Sequence, residues 1–546
     1  MSQRQNQRKG GQTDRLPVPT AGRPPADQMT DVVVVGSDPG ALAAAIACRQ
    51  AGWEVLVVEA SGVLGGPAGA GKGQLWLPGH ASLPDDDYAT ARDYFDRVVQ
   101  RVDPATSAPR RHALLTGTAD LGAWLAGLGV GLVPDRAGDH HPELPGGLAA
   151  GRVLIPQPVD VTTIGRLAEV LPRGQRAASE GLVDRLEYGA RVLEGAARSR
   201  QLAHGGAGLT SALLAACQRL QVNIWWDAPV SELVLARAGG GEVERVTGVI
   251  VRRGGRSVRV FAGRAVLLAQ GGFEADARAR RDYLPAPSTP AWTLGVARDD
   301  GVRHLEWAAE LGLQLAGLGD AWWRPGLWHP QGRVVDGQTA LAAPHGFMVD
   351  ATGRRFCNEA ASGNDVCRAI YARARELGPQ TIPTWLVVDA NHRRRNRLDR
   401  RAGWAHTART LPELAWQIKV DAAGLQATAD RFDGFAERGV DDDFARGASA
   451  ADRARGDRSH RPNPVLGTVR KGPFHALRVV PADLGTKGGL LTDEWARVLR
   501  ENGPLPGLLA IGSAAASVTG GDDPAPGVGL AEAMVFGRRA ALAISR

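Results

Sequence analysis

Cysteine is scarce: the 546 residues hold four, Cys48, Cys217, Cys357 and Cys367. Their wide spacing matches no zinc or dithiol signature, which excludes a cysteine-built metal or redox centre. Cys48 and Cys217 fall in apolar, helix-like stretches and are expected in the core. Nothing in this usage points to an oxidising compartment. Aromatic residues make up 5% of the chain, and Trp is the main exception to their scarcity. Long apolar runs are missing too. After Met29 every apolar stretch is broken by Gly, Pro or charge, so none reads as a membrane span. Residues 1–29 are polar and lack the apolar segment of a secretory leader; a disordered tail and a cytoplasmic location are expected. The net charge of +7 comes almost wholly from Arg. No nucleic-acid motif accompanies it, and the one dense basic run, His392 to Arg401, reads as a solvated face.

What is present is the alternation of an α/β protein. Asp31-Val-Val-Val-Val-Gly36 has four consecutive Val, the pattern of a strand buried on both faces of a parallel sheet. Ala41 to Ala51 reads as an Ala-rich helix and Glu54 to Glu59 as a second strand, together a βαβ unit. A helix is expected over Leu209 to Leu220. Strands are expected over Val222–Trp226, Val246–Val251, Arg264–Ala269 and Pro506–Ile511, with a last helix from about Leu530 to Ile544. Residues 291–462 carry Trp-rich and charged segments and read as an insert. The expected organisation is a tail (1–29), a nucleotide-binding domain in two parts (30–290 and 463–546) and a substrate-binding, catalytic domain between them (291–462). No internal repeat is visible.

The turn Gly36-Ser37-Asp38-Pro39-Gly40-Ala41 sits where a dinucleotide's pyrophosphate would meet the helix N-terminus, with Glu59 at the second strand's end to accept from ribose hydroxyls. Asp38 stands at the second glycine position. Its negative charge near a phosphate pair disfavours binding unless the loop turns the carboxylate away. Three distant segments strengthen the nucleotide reading. Ala269-Gln-Gly-Gly-Phe273 and Pro506-Gly-Leu-Leu-Ala-Ile-Gly-Ser513 resemble turns of two-domain flavoproteins, and Pro526-Gly-Val-Gly-Leu530 opens the last helix. In that fold a helix N-terminus faces the flavin edge where charge gathers on reduction.

Further stretches extend the likeness over nearly all of residues 30–546. They include Gly65-Gly66 with Gln74-Leu-Trp-Leu-Pro78, Asp139-His-His-Pro-Glu143, Ala321-Trp-Trp323, Gly346 to Ala360, Lys471-Gly-Pro-Phe474 and Asp483-Leu-Gly-Thr-Lys-Gly-Gly489. The chain resembles the 3-ketosteroid Δ1-dehydrogenases of the fumarate reductase type. The resemblance implies a Rossmann-like FAD-binding domain with an α+β insert and non-covalent FAD. It implies cofactor contacts at Gly36, Ser37, Asp38, Gly40, Ala41, Glu59, Gly65, Gly66, Val230, Gly271, Gly512, Ser513, Gly527, Val528, Gly529 and Leu530. It also implies a small apolar ring substrate such as a steroid, hydride transfer to the flavin, and an external electron acceptor.

The chain departs from the family where the chemistry sits. Gly363 replaces the proton-abstracting Tyr, His475 the Tyr of "GPFY", and His140 the Tyr of "DYHPE". His475 and His140 are the catalytic candidates, and His345, Asp365 and Cys357 are possible replacement bases. Pro67 and Gly71 replace cofactor-loop hydroxyls, and Ser513 an Asn, each costing a hydrogen bond worth roughly 0.5–1.5 kcal/mol. Weaker FAD binding than typical follows. Two other functions stay open: a C=C reductase of the fumarate reductase kind, and a non-catalytic partner subunit.

Overall fold

The structure, a computed structural model, describes residues 27–171, 201–239, 241–295, 302–329, 331–396 and 403–545. Most of residues 1–29, and His392 to Arg401 beyond residue 396, lie outside them.

The chain opens with β1 (Gln28–Val35), α1 (Pro39–Gln50) and β2 (Val55–Val58). The four Val of β1 are buried, and they alternate between two cores: Val32 and Val34 face one, Val33 and Val35 the other. That is the physical reason the run shows no polar alternation. A short helix α2 (Gly66–Ala70) and a longer α3 (Gly205–Arg219) follow. Next come strands β3 (Asn223–Trp225), β4 (Val230–Arg237), β5 (Val243–Arg253) and β6 (Arg256–Leu268).

The second half brings β7 (Ala321–His329), β8 (Arg333–Asp336), β9 (Gly346–Val349), helix α4 (Gly363–Leu377), β10 (Thr384–Val388), β11 (Ala405–Ala408) and the long β12 (Phe474–Thr486). The chain then returns with β13 (Arg497–Arg500), β14 (Gly503–Ala510) and α5 (Val528–Ser545).

Two large sheets result. The first has the order β13-β14-β6-β1-β2-β3, with β5 pairing β6 and β4 pairing β5. Its β14, β6, β1, β2 and β3 run parallel, so the strands from the two chain ends close one sheet. The second has the order β8-β7-β12-β10-β9, with β11 also on β12, and is antiparallel. Because β12 is its central strand, this sheet extends past residue 462.

α1 and α5 cover one face of the first sheet and touch at glycines. A Cβ on Gly40 would lie 2.7 Å from Ala533 Cβ, and one on Gly537 2.7 Å from the Gly40 carbonyl oxygen. Only glycine permits that approach.

The second unit is held by buried charge. Arg446 donates to Glu359 and to the carbonyls of Gly346, Leu341 and Ala343, and Arg355 bridges Glu359 and Asp441. Burial alone would raise the Glu359 carboxyl; Arg355 and Arg446 outweigh it and hold it near a pKa of about 2. This network pins Arg355 to Glu359 immediately ahead of α4.

Candidate active site

The carboxyl ends of β1, β2 and β6 meet at the Gly36 turn. Gly36 has φ 113°, and a Cβ there would lie 2.2 Å from the Ala269 carbonyl oxygen, so no other residue fits. Ser37 Oγ donates to Glu59 Oε2 at 2.6 Å and accepts from the Gly65 amide at 3.1 Å. Ser61 donates to the other Glu59 oxygen through its amide (2.8 Å) and hydroxyl (2.9 Å). Glu59, expected to face a ribose, is buried and ties three loops together.

Beside it lies a cavity of about 10 Å³ lined by Val35, Gly36, Val58, Ala60, Ala228, Val230, Gln270 and Arg303. That is room for a single water. The Gln270 side-chain amide is buried here with neither atom hydrogen-bonded.

Gly66, Gly271 and Gly512 have φ of 55°, 96° and 58°. A Cβ on any of them would meet nothing closer than 3.4 Å. These open glycines and the orphaned Gln270 amide suit a nucleotide whose backbone contacts come from three loops. Ser513 lies beside them, its Cβ 3.2 Å from a Cβ on Gly272. Asp38 is the exception: it caps α1, accepting from the Ala41 amide at 2.8 Å.

Gly527, with φ 86°, packs on the Gln74 carbonyl and precedes the first turn of α5, which holds Val528, Gly529 and Leu530. A Cβ on Gly529 would come within 2.7 Å of the Trp322 ring. Lys487 is buried with its ammonium 4.0 Å from the centre of that ring, donating to Thr519 Oγ1 (3.0 Å) and to the Asp522 carbonyl. Burial pulls its pKa down, against the pull of Asp523 and Asp320.

The His140 amide donates to the Pro524 carbonyl at 2.8 Å, just ahead of α5. Its Nδ1 accepts from Arg455 at 2.7 Å, and its Nε2 lies 3.4 Å from Asp523 Oδ2. A guanidinium can only donate, so Nδ1 carries the lone pair and the proton sits on Nε2, facing Asp523. Burial lowers the His140 pKa despite Asp523, which fits a neutral ring. Burial would raise the Asp523 carboxyl, but His140, Lys487 and Arg324 hold it below its ordinary value. Asp523 also lines a second cavity of about 200 Å³ with Arg97, Val98, Gln100, His141, Leu144, Asn364, Asp365 and Asp522. His141 stands there 3.5 Å from both Asp365 and Glu143.

Gly363 opens α4 behind the Ser362 cap. A Cβ would lie 2.9 Å from Gln338 Oε1, 3.0 Å from Arg324 Cδ and 3.0 Å from the Trp323 carbonyl oxygen. The volume of the missing side chain is therefore filled.

His475 does not join this group. Thr407 Oγ1 is 2.9 Å from its Nδ1 and Arg393 3.5 Å from its Nε2, and its pKa is pushed down to about 4, by burial first and then by Arg393. Thr486 lies eleven positions further along β12, roughly 36 Å at ~3.3 Å per residue. Motif position suggested a site residue, but strand length carries it to the opposite end. Of the replacement bases, Asp365 lines the larger cavity, while His345 bonds the Thr468 carbonyl and Cys357 is a buried thiol with a raised pKa. Asp523, Lys487, Arg324, Arg455 and His141 were not singled out from the sequence. Asp523 alone had a positional signal, four residues before Gly527. Among the described residues no cluster able to hold a metal forms. No helix among them is long and apolar enough to cross a membrane.

Residues 31–530 match the family described as FAD binding domain. The chain is 32% identical over 566 residues to a 3-oxosteroid 1-dehydrogenase of Mycobacterium tuberculosis, covering 95% of this chain and 98% of the relative. It is 32% identical over 536 residues to a 4-oxocyclohexanecarboxylate 2-dehydrogenase of Sinomonas cyclohexanicum, covering 93% and 91%. The crystal structure of a 3-ketosteroid Δ1-dehydrogenase from Sterolibacterium denitrificans, in complex with 1,4-androstadiene-3,17-dione, superposes with a TM-score of 0.88 at 30% identity, covering 95% of this chain and 99% of that one. A flavocytochrome c3 fumarate reductase shares the fold, with a TM-score of 0.63 at 19% identity.

Proposed function

The chain belongs to the FAD binding domain family, and from that premise we propose that it is an FAD-dependent dehydrogenase removing two hydrogens from adjacent carbons beside the ketone of a ring substrate. FAD, when bound, supplies the two-electron acceptor for this chemistry. The residues that would hold it are the Gly36 and Gly66 turns, Gln270, Gly512 and the first turn of α5.

The observation that carries the reading is the Asp523 carboxylate 3.4 Å from His140 Nε2, with the buried Lys487 donating to the carbonyl of the adjacent Asp522, just ahead of α5. The arrangement sets the Asp523 carboxylate, engaged by the His140 Nε2–H, in the wall of the cavity of about 200 Å³. A ketone oxygen entering this cavity would meet the side-chain donors that line it, Asn364 among them, beside which charge developing on oxygen is stabilised. A proton leaving the adjacent carbon can pass to Asp523 or, across the cavity, to the His141–Asp365 pair. An external acceptor then takes the electrons onward.

A steroid is one ring ketone consistent with the relatives. A smaller, more polar single-ring ketone is favoured by the cavity: about 200 Å³, lined by His141, Asn364, Asp365 and Asp523. Anaerobic mixing of the FAD-loaded chain with 4-androstene-3,17-dione and with 4-oxocyclohexanecarboxylate tests both. Loss of the oxidised flavin band is expected, faster with the single ring. Retention of the full band with every ring ketone would refute the dehydrogenase reading.

A further inference from the structure

We propose that the Asp38 carboxylate is an internal substitute for the cofactor's pyrophosphate, so that the chain folds without FAD and binds it reversibly, in competition with its own side chain. The proposal rests on the FAD reading above.

The N-terminus of α1 presents amides with no partner inside the helix, and an anion is the natural occupant. Here one oxygen of Asp38 takes the Ala41 amide at 2.8 Å. Pro39, in the first turn, has no N–H to offer, so the donors there are few. The other carboxylate oxygen points at the second cofactor loop: a Cβ on Gly512 would lie 3.6 Å from Oδ2. The third loop closes the set, with a Cβ on Gly66 3.4 Å from Asp38 Cβ. Asp38 therefore stands where the three glycine turns converge.

A pyrophosphate entering this point meets a like charge already seated on the donors it needs. It binds only when the Asp38 side chain rotates away and surrenders the Ala41 amide. The same side chain thus stabilises the flavin-free protein and opposes the cofactor, two effects that separate by substitution. Asn keeps the cap and loses the charge; Ala loses both.

The experiment uses the full-length chain freed of flavin, titrated with FAD by flavin fluorescence, together with thermal unfolding of the flavin-free protein. D38N is expected to bind FAD at least tenfold more tightly than wild type with its Tm unchanged. D38A is expected to bind more tightly as well, while its flavin-free Tm falls by about 1 °C. A purely structural Asp38 would give weaker binding in both variants, and that result would overturn the proposal. Wild type that purifies with a full complement of FAD resisting dialysis would also overturn it. If neither wild type nor either variant takes up FAD, the cofactor assignment fails along with the proposal. Tight uptake without turnover bears on the dehydrogenase reaction alone.

Discussion

Restoring the family's Tyr at position 363 is the obvious attempt to recover a lost base, and the packing around it says the attempt fails. A Cβ at 363 is already 2.9–3.0 Å from Gln338 Oε1, Arg324 Cδ and the Trp323 carbonyl oxygen. The first two can give way, being parts of side chains. The third is backbone in β7, inside the second sheet, and cannot move without disturbing its neighbours. Overpacking of this kind costs about 1–3 kcal/mol. A chain of 546 residues has an unfolding entropy near ~1 kcal/mol/K, so Tm should fall by roughly 1–3 °C. G363A is expected to show part of this loss and G363Y all of it, with no gain in turnover. Removing the Arg324 stem in G363Y/R324A should recover part of the stability, because the two sites share one volume. Differential scanning calorimetry of the four proteins, with substrate-driven flavin reduction, decides the matter. A G363Y variant as stable as wild type, or one that gains activity, would refute the claim that packing fixes this glycine.

Three other outcomes follow from the same geometry. Asp523→Asn should lower kcat at least tenfold, with a smaller change in KM and the fold retained, measured by steady-state kinetics and circular dichroism. His475→Gln should leave substrate-driven flavin reduction within about twofold of wild type, since its ring lies roughly 36 Å along β12 from Thr486. Glu359 has its folded pKa held at about 2 against an ordinary 4.5, so its contribution is complete above about pH 4.5 and is lost as pH falls toward 2. That difference is worth about 3 kcal/mol at most. Acid unfolding should begin in that window, and Glu359→Gln should destabilise at neutral pH while flattening the pH dependence.

The βαβ opening was legible because its determinants are local. Four Val with no polar alternation meant a strand covered on both sides, and β1 delivers its residues to two cores as that pattern requires. Gly36 was legible for the same reason, its φ being demanded by a turn within six residues. Glu59 was placed correctly at the end of β2, but its contacts depended on Ser37 and Ser61, whose hydroxyls the strand pattern does not orient. The candidate site around His140 and Asp523 was mostly illegible because it exists only through distant packing. Arg455 reaches His140 across 315 residues of chain. Lys487 becomes a site residue only because Trp322 covers it. His475 shows the converse: a motif fixed its strand but not which end of that strand reached the site.

Whether this fold uses FAD to desaturate a ring ketone is decided by one anaerobic titration of the FAD-loaded chain with 4-oxocyclohexanecarboxylate. Stoichiometric bleaching of the oxidised flavin band with appearance of the conjugated enone is expected. A band that persists undiminished with this ketone and with 4-androstene-3,17-dione would contradict it.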